Sequence, residues 1–189
     1  MVPQVTPAER PLPTARELGL LAPVLLLPLV YAGMYAGDGV IHLAFAENAA
    51  EGRFFELNPG ERVPGETSPG FMLALALAMR GLGAAATPLA VQVAGLLAWW
   101  ALALVVFRVA LALLGDRRWA LGAAAIAALI PGSAYNAVVG MENGWHALVT
   151  WGAIALSLGS GPRGVAIGGL LGIGCWLRPE GLAVATLWA

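Results

Sequence analysis

PLAVQVAGLLAWWALALVVFRVALALL, residues 88–114, is the stretch on which the fold turns. It exceeds the roughly 20 apolar residues that a helix needs to cross a bilayer. Comparable runs lie on either side. Residues 18–36, LGLLAPVLLLPLVYAGMYA, read as a first span, residues 119–139 and 143–159 as two more, and residues 164–177 as a rather short one. A last apolar run starts at Gly181 and stops at Ala189. Residues 69–83 are short and interrupted by Arg80, which suits an interfacial or re-entrant segment better than a span. Over the 189 residues, 59% are hydrophobic and 11% charged, with a mean hydropathy of +0.79. Soluble domains carry about 25% charged residues. These features predict an all-α integral membrane protein, a polytopic transmembrane helical bundle.

Several function classes drop out at this level. A net charge of −1 argues against a nucleic-acid partner. Cys175 is the single cysteine and has no intrachain partner. The first apolar run is long, follows a Pro-rich polar leader and lacks a small-residue cleavage site before a soluble domain, so it reads as a retained span rather than a signal peptide. Pro23 and Pro28 predict kinks in that span, and Pro131 a bend in the span over 119–139. The seven Trp residues sit in or beside spans as interface anchors or packing residues. All ten basic residues are Arg, which fits a GC-rich coding bias rather than a chemical need.

Charge sets the expected topology. With residues 69–83 lying on the outer surface, Arg10, Arg16, Arg117, Arg118 and Arg163 all fall inside, as the positive-inside rule asks. Residues 1–17 are then a cytoplasmic tail. Residues 37–87 form an extracytoplasmic loop with short surface helices. The loop from Asp38, the Gly140–Asn143 turn and the Arg178–Glu180 segment all face outward. If residues 69–83 span instead, the Asp116–Arg118 cluster moves outside, while Glu142 and Glu180 move inside. The first arrangement is the expected one, because it also gathers the unusual polar residues.

The loop itself, GDGVIHLAFAENAAEGRFFELNPGERVPGETSP over residues 37–69, holds Asp38, Glu47, Glu51, Glu56, Glu61 and Glu66 against Arg53 and Arg62. Carboxylates concentrated in one part of a membrane protein mark a functional region. VIHLAFAENAAEG predicts a short helix stopping at Gly52. NPGE and VPGE are turn signals, and Ser68-Pro69 reads as an N-cap followed by Pro at the first helical position. Asp38 has two readings, an N-cap or a general base at the membrane surface. Glu142, in Gly-Met-Glu-Asn, is either a cap on the helix from Asn143 or a working carboxylate. Arg178-Pro179-Glu180-Gly181 is either an ion pair around a Pro kink or a phosphate grip, since guanidinium matches phosphate geometry. His42 follows Asp38 by four residues and His146 follows Glu142 by four. On helices each pair shares a face, so the two pairs are a conceivable divalent-cation site.

This ordered set resembles the front of GT-C membrane glycosyltransferases, in the branch that includes arabinofuranosyltransferases and mannosyltransferase-like enzymes. The matching residues are Asp38 after the first span, Glu51-Gly52, Asn58-Pro59-Gly60-Glu61-Arg62, and Gly65, Thr67, Ser68 and Pro69. Glu142 and Arg178-Pro179-Glu180-Gly181 complete the match. Gly37 stands where the family's acidic pair places its first Asp, Leu57 where Phe or Tyr is usual, and Glu66 where Tyr is usual. The resemblance covers residues 18–189 and implies the N-terminal portion of such an enzyme, truncated at its C-terminus.

What the resemblance implies is sugar transfer from a polyprenyl-phosphate donor to an envelope glycan, lipid or protein acceptor. Transfer would be inverting, on the extracytoplasmic side of the plasma (inner) membrane, with membrane lipid as surroundings. Asp38 would be the catalytic base. Asn58, Glu61, Arg62, Thr67, Glu142, Arg178 and Glu180 would bind substrate, with Arg178, then Arg62, offered to the departing phosphate. No cofactor is obligatory beyond a divalent cation as an option. The rival readings are a non-catalytic membrane subunit and a transporter fragment. The chain shows no internal repeat, and its polarity lies in a surface loop rather than at mid-membrane, which favours the enzyme.

Overall fold

The run over 88–114 forms one helix. In the structure, a computed structural model that describes residues 12–130 and 132–188, Thr87–Leu114 is a helix of 28 residues (α4; helices are numbered in chain order). At 1.5 Å per residue it is about 42 Å long. Pro88 sits in its first turn, where no amide hydrogen is missed. Gly115 ends it with φ 68°, donating to the Leu111 carbonyl at 2.9 Å. Among the described residues α4 is the one helix long and apolar enough to cross a membrane. The polar leader up to residue 11 with Arg10, the expected bend at Pro131, and Ala189 lie outside the described residues.

The other helices are α1 (Ala15–Leu25), α2 (Asp38–Ala50), α3 (Pro69–Leu82), α5 (Arg117–Leu129), α6 (Ser133–Asn136), α7 (Asn143–Ser157), α8 (Gly164–Leu177) and α9 (Glu180–Trp188). Among the described residues the molecule is all-α apart from one small hairpin, β1 (Glu56–Asn58) with β2 (Glu61–Arg62), where the sequence predicts only a turn. Gly60, with φ 83°, follows Pro59 in that turn, as a type II turn requires.

Two expected spans are not single helices. The run over 18–36 ends its α-helix at Leu25 and continues as a 3-10 turn over Leu27–Tyr31. Pro28 has no amide hydrogen for the Val24 carbonyl, and its ring disfavours the α conformation of the residue before it. The carbonyl of Leu25 left open by the break accepts the Trp100 indole N–H at 3.0 Å. Pro23, by contrast, is accommodated inside α1. The run over 119–139 breaks after Leu129, with Ile130 extended ahead of residue 131 and Gly132 at φ 82°. The remaining runs keep their expected bounds to within two residues, and α8 keeps both of its own.

Packing rests on small residues. Ala120, Ala124 and Ala128 recur every fourth residue along α5 and are buried. The first two pack in one cluster with Leu21, Phe107, Ala110 and Leu111. Gly95 of α4 lies so close to the Ala137 carbonyl that a methyl there would overlap it. Phe45, Ala46, Phe71, Met72 and Leu75 make a second cluster that joins α2 to α3.

The ends of the molecule differ in charge. Near the start of α4, Tyr35 Oη donates to the Pro88 carbonyl at 3.4 Å, and Gly140 packs on the Tyr35 ring. The α2 start, the turn before α7 and the end of α8 gather at this end. Past the other end of α4, the Arg117 guanidinium grips Glu17 with two hydrogen bonds of 2.9 and 2.6 Å, and it stacks 5.3 Å from the Phe107 ring. That pairing holds the Glu17 carboxyl at about 2.

Gly39 sets the placement of α2. A methyl at this position would overlap the Val139 carbonyl oxygen and press on the Gly140 carbonyl at 3.2 Å. Gly39→Ala should therefore push α2 off the turn and cost about 1–3 kcal/mol. A lowered thermal midpoint of the solubilised chain would show it; an unchanged midpoint would mean that α2 does not rest on that turn.

Candidate functional site

Four segments bring polar side chains to the same end of the molecule: the first turns of α2, the loop before α3, the turn before α7, and the α8–α9 junction. Their centre is His42, 4% exposed. Its Nδ1–H donates to Glu66 Oε2 at 3.0 Å and its Nε2–H to Glu142 Oε2 at 3.0 Å. A neutral imidazole has one N–H, and carboxylates only accept. Two such bonds require the imidazolium form. Burial opposes that charge, but the hydrogen bonds to Glu142 and Glu66 outweigh it and push His42 up to about 9. The Phe71 ring meets the imidazole edge-on at 5.5 Å between centroids.

Glu142 links this pair to a second cation. Its other oxygen accepts from Arg178 Nη1 at 2.9 Å. Burial alone would raise this carboxyl, yet His42 and Arg178 together hold it below the ordinary carboxylate range. Arg178 also donates to Asn143 Oδ1, and its Nε and Nη2 reach Glu180 at 3.2 and 2.9 Å. Glu180 is exposed and held near 2 by Arg178. The result is a chain of alternating charge, Glu66–His42–Glu142–Arg178–Glu180, buried at one end and open at the other.

Neither acid caps its helix with a side-chain hydrogen bond. Asp38 is the first residue of α2 and does not cap it; Gly37 holds the cap position, and no side chain bonds there. Its carboxylate is exposed, and it is close enough to Arg178 to raise that guanidinium further. Glu142 occupies the cap position of α7, but its side chain makes no cap hydrogen bond either. The Glu142 carboxylate is turned to the polar centre instead. Arg178-Pro179-Glu180 does form the local ion pair, and it adds the long-range bond to Glu142. At Ser68 the expected cap is not made by the hydroxyl, which is buried without a partner; the Glu66 carboxylate accepts from the Ser68 N–H at 2.6 Å.

The hairpin residues stand apart. Asn58 donates to Glu61 at 2.8 Å on an exposed tip, and Arg62 is exposed beside Glu56 at 3.8 Å. Buried Asn48 holds the hairpin from α2, donating to the carbonyls of Glu56 and Leu57 at 3.0 Å each and accepting from Arg53. Thr67 is exposed beside Glu66. Asn58, Glu61 and Arg62 are thus not joined to the His42 centre.

The two acid–His pairs do not build one cation site. His42 turns its nitrogens to Glu66 and Glu142 rather than to Asp38, and His146 Nε2 is buried without a partner, on the side of its ring beside Gly174. Among the described residues no group of three or more His, Cys, Asp or Glu is arranged to hold a metal ion. The two acid–His pairs therefore do not fit a divalent cation as a shared site.

An apolar cavity of about 370 Å³ lies between α3, α4, α7 and α8, lined by Phe71, Val91, Trp145, Val149, Ile173 and Leu177 among others. Phe71 touches His42, and Leu177 precedes Arg178 in the chain, so the cavity reaches the polar centre at that end. Sequence reasoning passed over His42 as a hub and Glu66 as its partner. The only local signals were a His one helical turn after Asp38 and an acid just before a helix start. No family model, curated protein or solved structure matches the chain.

Proposed function

We propose that this chain is the N-terminal part of a polytopic membrane glycosyltransferase of the GT-C type. It transfers a sugar from a polyprenyl-phosphate donor to an envelope glycan, lipid or protein acceptor at the outer face of the plasma membrane. The observation that carries the reading is the convergence of Asp38, Glu142 and Arg178 on one polar centre at the end of an apolar cavity. A lipid-linked donor needs an apolar slot that opens beside a phosphate-binding cation, and these two features adjoin here.

The chemistry needs few groups. The acceptor hydroxyl oxygen bonds to the anomeric carbon as the bond from that carbon to the phosphate oxygen breaks, with inversion. Asp38, exposed and unengaged by any hydrogen bond among the described residues, takes the hydroxyl proton. The electron pair leaves on the polyprenyl phosphate. Arg178 meets that charge by exchanging exposed Glu180 for a phosphate oxygen, while its Nη1 stays on Glu142 and Asn143. Glu142 holds the guanidinium in place. Asn58, Glu61 and Arg62, on the exposed hairpin, and Thr67 would serve acceptor hydroxyls away from this centre.

The test is donor-dependent transfer by the full chain in vesicles, with polyprenyl-phosphate sugars offered singly. Sugar appearing on an acceptor supports the enzyme. Solute flux without transfer would favour the transporter fragment, and neither activity the non-catalytic subunit.

A further inference from the structure

A second cavity, of about 380 Å³, lies at the opposite end of the molecule, where α1 and α5 begin side by side. Its wall includes Arg16, Arg117 and Arg118 against one carboxylate, Glu17, with Leu20 and Leu121 below them. Arg117 is committed within the protein: Glu17 takes its fork, the Leu12 carbonyl accepts from it at 3.0 Å, and Phe107 covers its face. That pairing neutralises Glu17. Asp116 lies nearby, exposed, and caps α5 by accepting from the Arg118 N–H at 2.7 Å. Arg16 and Arg118 are exposed and bring the cavity wall an excess of positive charge. The positive ends of two helix dipoles add to it.

The wall is also amphipathic. Leu20 is 62% exposed, and Trp119, Leu113 and Leu114 stand exposed beside the same helix ends. A soluble anion would have no use for that apolar border, whereas basic pockets between helices on the cytoplasmic side suit anionic lipid headgroups. We propose that the α1–α5 cavity binds an anionic phospholipid of the cytoplasmic leaflet, its phosphate between Arg16 and Arg118 and an acyl chain along Leu20 and Leu121. The site rests on the membrane placement proposed above and not on sugar transfer.

The experiment offers the full chain, in detergent micelles, equimolar dioleoyl phosphatidylglycerol and phosphatidylcholine, and counts retained lipids by native mass spectrometry. Phosphatidylglycerol should be retained in preference. An Arg16→Gln/Arg118→Gln variant should bind it about thirtyfold more weakly, and Arg16→Lys/Arg118→Lys should keep most of the affinity. Equal retention of the two lipids, or an unchanged Gln variant, would overturn the site. Release of the lipid by millimolar inorganic phosphate would overturn it in favour of a soluble-anion site. A chain washed off membranes by alkaline carbonate would overturn the membrane placement, and the lipid site with it. Lost lipid selectivity in a carbonate-resistant chain overturns the lipid site alone.

Discussion

Asp38→Asn should lower the rate of sugar transfer by about 100-fold or more, while leaving the fold intact. General-base contributions are typically 10²–10⁴-fold. The side chain is exposed and caps nothing, so neutralising it removes no structural bond. Asn keeps the size and loses only the proton acceptor. The two halves of the expectation separate chemistry from folding. Transfer would be measured on vesicle-reconstituted protein with saturating donor, alongside its thermal midpoint. Normal transfer by a folded variant would remove Asp38 from the base role. A fall in midpoint together with activity would instead make Asp38 structural, against its exposure.

His42→Ala should have the largest effect on stability. It leaves Glu66 and Glu142 facing each other without the cation between them. Breaking a buried charge network by removing one partner costs about 3–5 kcal/mol. The wild-type chain should show the same interaction through pH. His42 is raised from 6.5 to about 9 in the folded state. Its contribution is therefore complete below pH 6.5 and is lost as pH rises through about 9. Glu142 works in the other sense, since its carboxyl is lowered on folding. Its share is present above the ordinary carboxylate value near 4.5 and is lost as pH falls through its lower folded value. The thermal midpoint of the solubilised chain should thus hold a plateau between about pH 4.5 and 6.5 and drop on the alkaline side. His42→Ala should erase the alkaline drop. A wild-type midpoint flat from pH 6.5 to 9.5 would mean that His42 is not a buried cation.

Much of the helix pattern could be read from the sequence because it follows from single residues. Pro69 after Ser68, Gly115 after Leu114 and Gly52 after Glu51 each mark a boundary by backbone chemistry alone. The broken runs at Pro28 and after Leu129 were legible as bends, but not as ends, because hydropathy cannot say whether a kinked helix resumes. The site was legible in part for a similar reason. Asp38, Glu142 and Arg178 stand out as charges beside apolar runs, and topology put them on one side. Their mutual distances were not legible. Which oxygen of Glu142 meets which cation depends on how α2 seats on the Val139–Gly140 backbone, a contact set by the missing side chain of Gly39. His42 was hidden because it sits amid an apolar helix and its partners are 24 and 100 residues away.

Those separations carry a consequence for how the chain assembles. His42 meets Glu66 early in synthesis, but Glu142 emerges 100 residues after it, and Arg178 another 36 after that. Contacts of such span form late, since loop closure must precede their reward. Until α7 and α8 arrive, α2 and the loop before α3 hold half of the network, with Nε2 of His42 lacking its Glu142 partner. The charge network is therefore complete only after Arg178 has joined Glu142.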